Sequence, residues 1–249
     1  MQAASGRLDA SARVHLRECE RCRRLSTLLE ETAVTPNVDP ELLGRIRSLV
    51  VPSLNAVRPL PAAFFTWSLI ALCVATALGG ALRLGTYGFE KLSTGERIVI
   101  FSLWGVLIWM TAGLSVAEII PGAKRRVSPQ TLLLIGIAVL AAAFAVFFRN
   151  YTMQGFVPEG VTCLKIGLVF SIPAGLLVWL VLRRGFAIDA LSAGLASGTL
   201  AGLAGLGVLE LHCPNFKLPH VMVWHLAVVP LSAAAGESIA VLGERFRHN

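Results

Sequence analysis

The run Thr131–Phe148, TLLLIGIAVLAAAFAVFF, holds eighteen residues and no charge. Wound as an α-helix at 1.5 Å per residue, it rises about 27 Å, close to the hydrocarbon thickness of a bilayer. The rest of the chain favours lipid over a soluble core. It has 249 residues, of which 55% are hydrophobic and 15% charged, whereas a soluble domain carries about a quarter charged residues.

Five more segments of this kind lie around it, at 62–82, 98–120, 162–182, 187–209 and 221–242. The expected fold is therefore all-α, a short helical N-terminal cytoplasmic head followed by a polytopic bundle of about six transmembrane helices. In the fifth segment Gly194, Gly198, Gly202 and Gly205 recur every three or four residues, which favours close packing against other helices. Pro173 and Pro230 fall inside segments and are expected to kink them. Trp67, Trp104, Trp109, Trp179 and Trp224 read as interfacial or packing residues.

The boundaries follow from composition: a head over 1–50, a linker over 51–61 punctuated by Pro52, Pro59 and Pro61, and a transmembrane domain over 62–245. The first 50 residues are polar, and no short apolar run opens them, so no cleavable signal peptide is expected. The net charge of +7 is spread around the ends of the apolar segments, so it reads as topology and not as a nucleic-acid patch. With the head inside, one side holds nine basic residues of the tail plus Lys124, Arg125, Arg126, Arg183, Arg184, Arg245 and Arg247. The other side holds Arg83, Lys91, Arg97, Arg149, Lys165 and Lys217. This asymmetry predicts a multi-pass protein of a bacterial inner membrane with both termini cytoplasmic.

Within the head, residues 1–32 read as helical, with Leu8, Ala12, His15, Leu16, Cys19, Leu25 and Leu28 on one face. A break at Thr35–Pro40 follows, then an amphipathic helix over 40–50 with Asp39 as its cap and Leu42, Leu43, Ile46 and Leu49 on its apolar face. His15, Cys19 and Cys22 lie four and three residues apart, which puts two thiols and an imidazole on one stripe, a donor set that zinc favours. Arg17, Arg21, Arg23 and Arg24 surround the thiols and favour their ionised form. A closed structural zinc site takes four ligands; Asp9 or a water is the candidate for the fourth.

The head pattern, Leu8-x6-His15-x3-Cys19-x2-Cys22-x2-Leu25 followed by a proline break and a second amphipathic helix, resembles the zinc-binding anti-sigma domain. That family usually has a further His or Cys upstream of the His, and this chain departs from it there. The resemblance implies a small helical domain that wraps a sigma factor of the extracytoplasmic-function type. The contacts implied are Leu25, Leu28, Leu42, Leu43, Ile46 and Leu49. The remainder, from about 60 to 245, resembles the six-helix NrsF-like anti-sigma family. The matching residues are Cys163-Leu164-Lys165-Ile166, Pro173, Leu182-Arg183-Arg184-Gly185, Gly194, Gly198, His212-Cys213-Pro214, Phe216 and Trp224. The family commonly has Tyr after this tryptophan, where this chain has His225.

Glu210, His212, Cys213, His220 and His225 lie in or beside one short connection, and Cys163 heads a segment on the same predicted side. Polar groups at a membrane boundary are costly unless they meet water or one another. Cys163, His212, Cys213, His220 and His225 are therefore the candidate sensory residues. They offer either a Cys163–Cys213 disulfide or a soft-metal site of thiolate and imidazole; the alternative is a hydrated interfacial loop. Glu118, Glu237 and Asp189 sit near segment ends and read as structural. No phosphate-binding glycine loop and no Ser/His/Asp pattern stands out, so no catalysis is expected.

The expected function is a membrane-bound anti-sigma factor that holds an extracytoplasmic-function sigma factor and releases it on an envelope, metal or redox signal. The alternative is a small metal or solute transporter with a metal-sensing tail, disfavoured because the segments show no paired buried charges. A membrane thiol oxidoreductase is disfavoured because Cys19 and Cys22 lie on a polar, arginine-rich tail.

Overall fold

The computed structural model describes residues 61–119, 127–182 and 189–247, together with Cys19, Glu20, Cys22, Arg23, Arg24, Thr27, Glu41, Leu42, Gly44, Arg45 and Ser48. The chain divides into two compact units, Met1–Pro59 and Leu60–Asn249. In the first unit, Glu20, Cys22–Arg24 and Thr27 are helical, as are Glu41, Leu42, Gly44, Arg45 and Ser48. The Arg23 amide donates to the Cys19 carbonyl at 2.9 Å, and the Thr27 hydroxyl to the Arg23 carbonyl at 3.0 Å.

In the second unit, α1 (Ala62–Leu84) ends at Gly85, whose φ of 94° takes the chain out of the helix. The short α2 (Tyr87–Lys91) leads to α3 (Thr94–Ile119). Ser93 and Glu96 close a capping box at its start. The Ser93 amide donates to Glu96 Oε2 at 2.7 Å, and the Glu96 amide to Ser93 Oγ at 3.4 Å. Helix α4 (Pro129–Phe147) begins with Ser128 as cap and proline in its first turn. Helix α5 (Phe156–Leu182) contains Pro173. Asp189 caps α6 (Ala190–His212) through the amides of Leu191 and Ser192. The last span is compound: a single turn α7 (Leu218–His220), a π-helical turn over Val221–His225, then α8 (Leu226–Arg247) with Pro230 inside it. These elements contain six helical spans long and apolar enough to cross a membrane. The expected segments coincide with them, but α5 starts six residues earlier than expected and α6 runs on to His212.

Helix α6 is the axis of the bundle. It packs against α1, α3, α4, α5 and α8. Of its span 83% is buried, against 17–28% for the other five. Lipid is as apolar as leucine, so helices associate in it by close backbone approach and not by escape from solvent. Small residues supply that approach. A Cβ on Gly198 would fall on the Ser232 carbonyl, and one on Gly205 on the Gly167 carbonyl. Gly194 and Gly236 face each other across α6 and α8 in the same way. Two further contacts reach the α6 backbone. The Trp104 indole donates to the Leu203 carbonyl at 2.7 Å, and the Cys73 thiol points at the Leu200 carbonyl at 3.8 Å.

Several hydroxyls within the spans return to their own helix four residues back: Thr111 to Leu107, Ser115 to Thr111, Ser171 to Gly167 and Thr199 to Leu195. The outward surface is apolar, with Trp67, Leu82, Ile98, Leu134 and Ile239 exposed.

The connections α1–α3, α4–α5 and α6–α7 gather at one edge, as six alternating spans require. Gly88 of α2 sits against the carbonyls of Glu210 and Cys213 so closely that a Cβ would lie 2.8 and 2.7 Å from them. The Leu218 amide donates to the Asn150 carbonyl at 2.8 Å, Lys217 Nζ to the Gln154 carbonyl at 2.8 Å, and Asn215 Nδ2 to Glu159 Oε2 at 2.6 Å. Phe148 and Phe216 stack with ring centres 4.9 Å apart.

Gly198→Leu is expected to destabilise the bundle by about 1–3 kcal/mol or more, the cost of forcing volume into a packed contact. Thermal unfolding in detergent checks this. Gly113→Ala, which has open space around its Cβ, is expected to leave the midpoint unchanged.

Candidate functional site

Two ends of helices and one unusual turn bring the site together at this edge. Cys163 lies two turns inside α5. Cys213 caps the end of α6, its amide donating to the Leu209 carbonyl at 2.8 Å. His220 ends α7, and His225 ends the π-helical turn. Residues five apart on an α-helix point about 140° away from each other at 3.6 residues per turn. A π turn closes residue i onto i+5, and here the Leu226 amide meets the Val221 carbonyl. That wider turn brings the two imidazoles together, ring centres 5.2 Å apart and planes at 74°.

The sulfurs of Cys163 and Cys213 are 3.3 Å apart. Cys213 Sγ is 3.6 Å from His220 Nε2. One ligand atom from each of Cys163, Cys213, His220 and His225 can be chosen such that all lie within 4.8 Å of one another. All four side chains are buried, and His225 is fully so. Behind His225 stands Glu210, also buried, with Oε1 at 2.9 Å from Nδ1. The carboxylate accepts, so Nδ1 carries the hydrogen and Nε2 presents its lone pair when the ring is neutral. His225 Nε2, His220 Nδ1 and Glu210 Oε2 have no hydrogen-bond partner among the described residues. A buried polar atom left in that state costs about 1–3 kcal/mol.

The thiol of Cys213, at the connection beyond α6, is pushed above its ordinary value. The hydrogen bond with Cys163 is the largest cause and burial the next, with His220 and His225 pulling the other way. Trp224 closes the site toward α5: its indole fills the space where a Cβ on Gly160 would stand, and its ring lies 5.5 Å from Phe156. Leu209 and Val228 complete the apolar wall around the cysteines.

Of the sensory residues expected from the sequence, Cys163, Cys213, His220 and His225 converge. His212 does not join them. Its Nδ1 is 3.4 Å from the Gly85 carbonyl and its ring 6.0 Å from Tyr87. Glu210, two residues earlier on α6, takes the inward position instead. Glu210 and His225 form a buried carboxylate–imidazole hydrogen bond between two spans, their atoms 2.9 Å apart. Cys73 is remote, held in the α1–α6 contact. Asp189 serves as the α6 cap. Glu118 is buried near the end of α3.

In the head, Cys19 and Cys22 are both half-buried. Leu42 is exposed. His15, Leu25, Leu28, Leu43, Ile46 and Leu49 lie outside the described residues.

Mild oxidation of the full chain in detergent is expected to link Cys163 to Cys213 within one molecule and to leave Cys73 alkylatable after unfolding. Peptide mass mapping reads the pair; a chain whose two thiols remain separately alkylated would contradict the geometry.

Residues 53–246 match the family model NrsF, described as a negative regulator of sigma F. No curated protein matches the chain, and no solved structure does.

Proposed function

The chain belongs to the NrsF family of negative regulators of sigma F, and from that premise we propose that it is a membrane-bound anti-sigma factor acting on a sigma factor of the extracytoplasmic-function type. The family match over most of the chain is the observation that carries this reading, and it favours a regulator over a transporter. The six apolar helices support an anchor in a bacterial inner membrane with both termini cytoplasmic.

In this reading the head over 1–50 holds the sigma factor, and the linker over 51–61 joins it to the bundle over 62–245. The apolar positions Leu25, Leu28, Leu42, Leu43, Ile46 and Leu49 offer the face that an amphipathic helix lays against a partner. His15, Cys19 and Cys22 bind zinc and hold the head in shape, with a fourth ligand from Asp9 or water. Inhibition is occlusion: a sigma factor held at the membrane does not reach polymerase, and no bond is made or broken.

Cys163 and Cys213 receive the signal at the edge where the α1–α3, α4–α5 and α6–α7 connections gather. Oxidation by a peroxide-class oxidant joins the two sulfurs, with two protons and two electrons passing to the oxidant; a thiophilic metal reaches the same atoms. Either event changes the contact between α5 and α6, and the head then releases its partner.

Two measurements test the proposal. The full chain in micelles is expected to capture a purified sigma factor of the extracytoplasmic-function type, and Leu42→Asp to weaken capture at least tenfold. No capture with zinc supplied and thiols reduced would overturn the anti-sigma reading. In cells, Cys163→Ser with Cys213→Ser is expected to abolish induction of a sigma-dependent reporter by oxidant or metal. An unchanged response would overturn the sensory role.

A further inference from the structure

We propose that Cys163, Cys213, His220 and His225 form a closed four-ligand site for a thiophilic d10 cation of the zinc class, with Glu210 as the carboxylate that positions His225. The inference deepens the signal-input reading above and rests on it for its role in regulation, although binding of the cation is measured without any sigma factor.

Several independent features converge on a cation. The donor set is two sulfurs and two imidazoles, which suits tetrahedral zinc-class ions. The donors come from three separate elements, α5, the end of α6 and the α7–π turn, yet their ligating atoms lie within 4.8 Å of one another. A tetrahedral ion with bonds of about 2.3 Å to sulfur holds two sulfurs about 3.8 Å apart. The observed 3.3 Å therefore opens only slightly to admit it. The other ring nitrogen of His225 is engaged by Glu210 at 2.9 Å, the outer-shell carboxylate–imidazole arrangement found behind metal-bound histidines. That bond leaves His225 Nε2 as a buried lone pair with no hydrogen-bond partner among the described residues, and a cation takes that lone pair as a ligand.

A disulfide accounts for less. It uses Cys163 and Cys213 alone and leaves both imidazoles and the Glu210 carboxylate buried to no purpose. The π turn points the same way. Its effect is to bring His220 and His225 onto one side, five residues apart, which an ordinary helix does not do. Occupancy joins α5, α6 and the start of the last span through one ion, so filling or emptying the site alters three helices at once.

The test uses the full chain in detergent with Cys19→Ser and Cys22→Ser, which removes the thiols of the head. The protein is reduced, stripped with chelator and titrated with cobalt(II) as a spectroscopic probe. Expected are one equivalent of cobalt, ligand-field absorption of a tetrahedral ion and a thiolate charge-transfer band. His225→Ala and His220→Ala are each expected to weaken binding at least tenfold. Glu210→Gln is expected to weaken it about 10- to 100-fold, and His212→Ala to leave it unchanged. Should a substituted chain fail to fold, the parent chain still decides: cobalt is expected to protect Cys163 and Cys213 together from alkylation. Absence of the charge-transfer band, absence of protection, or affinity unchanged in both histidine variants would overturn the proposal. Tight cobalt binding here, with oxidant- and metal-dependent release of the sigma factor unchanged by His225→Ala in the chain that keeps Cys19 and Cys22, would establish the centre while overturning its use as signal input.

Discussion

Where α6 meets α8, at Gly194, Gly198 and Gly236, two backbones come closer than any side chain permits. The rest of the bundle depends on this approach. A helix surrounded by five others cannot carry large residues on all its faces, because each added side chain pushes a neighbour away. Glycine and alanine remove that volume, and leucines between them fill the gaps that remain. The result is a span of the lowest hydropathy among the six and the highest burial. In lipid that inversion is physically sensible: hydropathy measures what the outer helices must show the bilayer, and α6 shows it almost nothing.

This is also why the architecture was largely legible from residues. Thr131–Phe148 and its counterparts need only length and lack of charge to read as spans, and the glycine spacing in 187–209 pointed to close packing. Alternation of the spans placed Cys163 and Cys213 at one edge although fifty residues separate them. The site itself was less legible. His212 was expected beside Cys213, but two residues along an α-helix is about 200°, so with Glu210 inward His212 faces Gly85 and Tyr87. On an ordinary helix His220 and His225 point about 140° apart; the π turn brings them together, and no local pattern announces that turn. The Glu210–His225 hydrogen bond was hidden for the same reason, since the two residues belong to different helices.

The edge that holds the cysteines is tied by several contacts between its connections. Asn150, Gln154 and Glu159 bind the segment 215–218, Phe148 stacks on Phe216, and Gly88 wedges α2 against the end of α6. These bonds hold the connections in register around buried thiols and imidazoles. His225 is fully buried beside them, and burial raises the cost of an unpaired Nε2 and with it the preference for a ligand.

An extra residue in a helix is an angle as well as a length. At 3.6 residues per turn, one residue corresponds to about 100° of rotation. The π turn over Val221–His225 therefore sets the phase between what precedes it and all of α8. Gly236 meets Gly194 only at that phase. If the turn tightened to an ordinary helical one, His225 would swing out of the cluster or α8 would rotate about its axis, taking Gly236 out of its seat. The last span thus works as an indexed shaft, its rotational setting fixed at the edge that carries the sulfurs and expressed along its whole length.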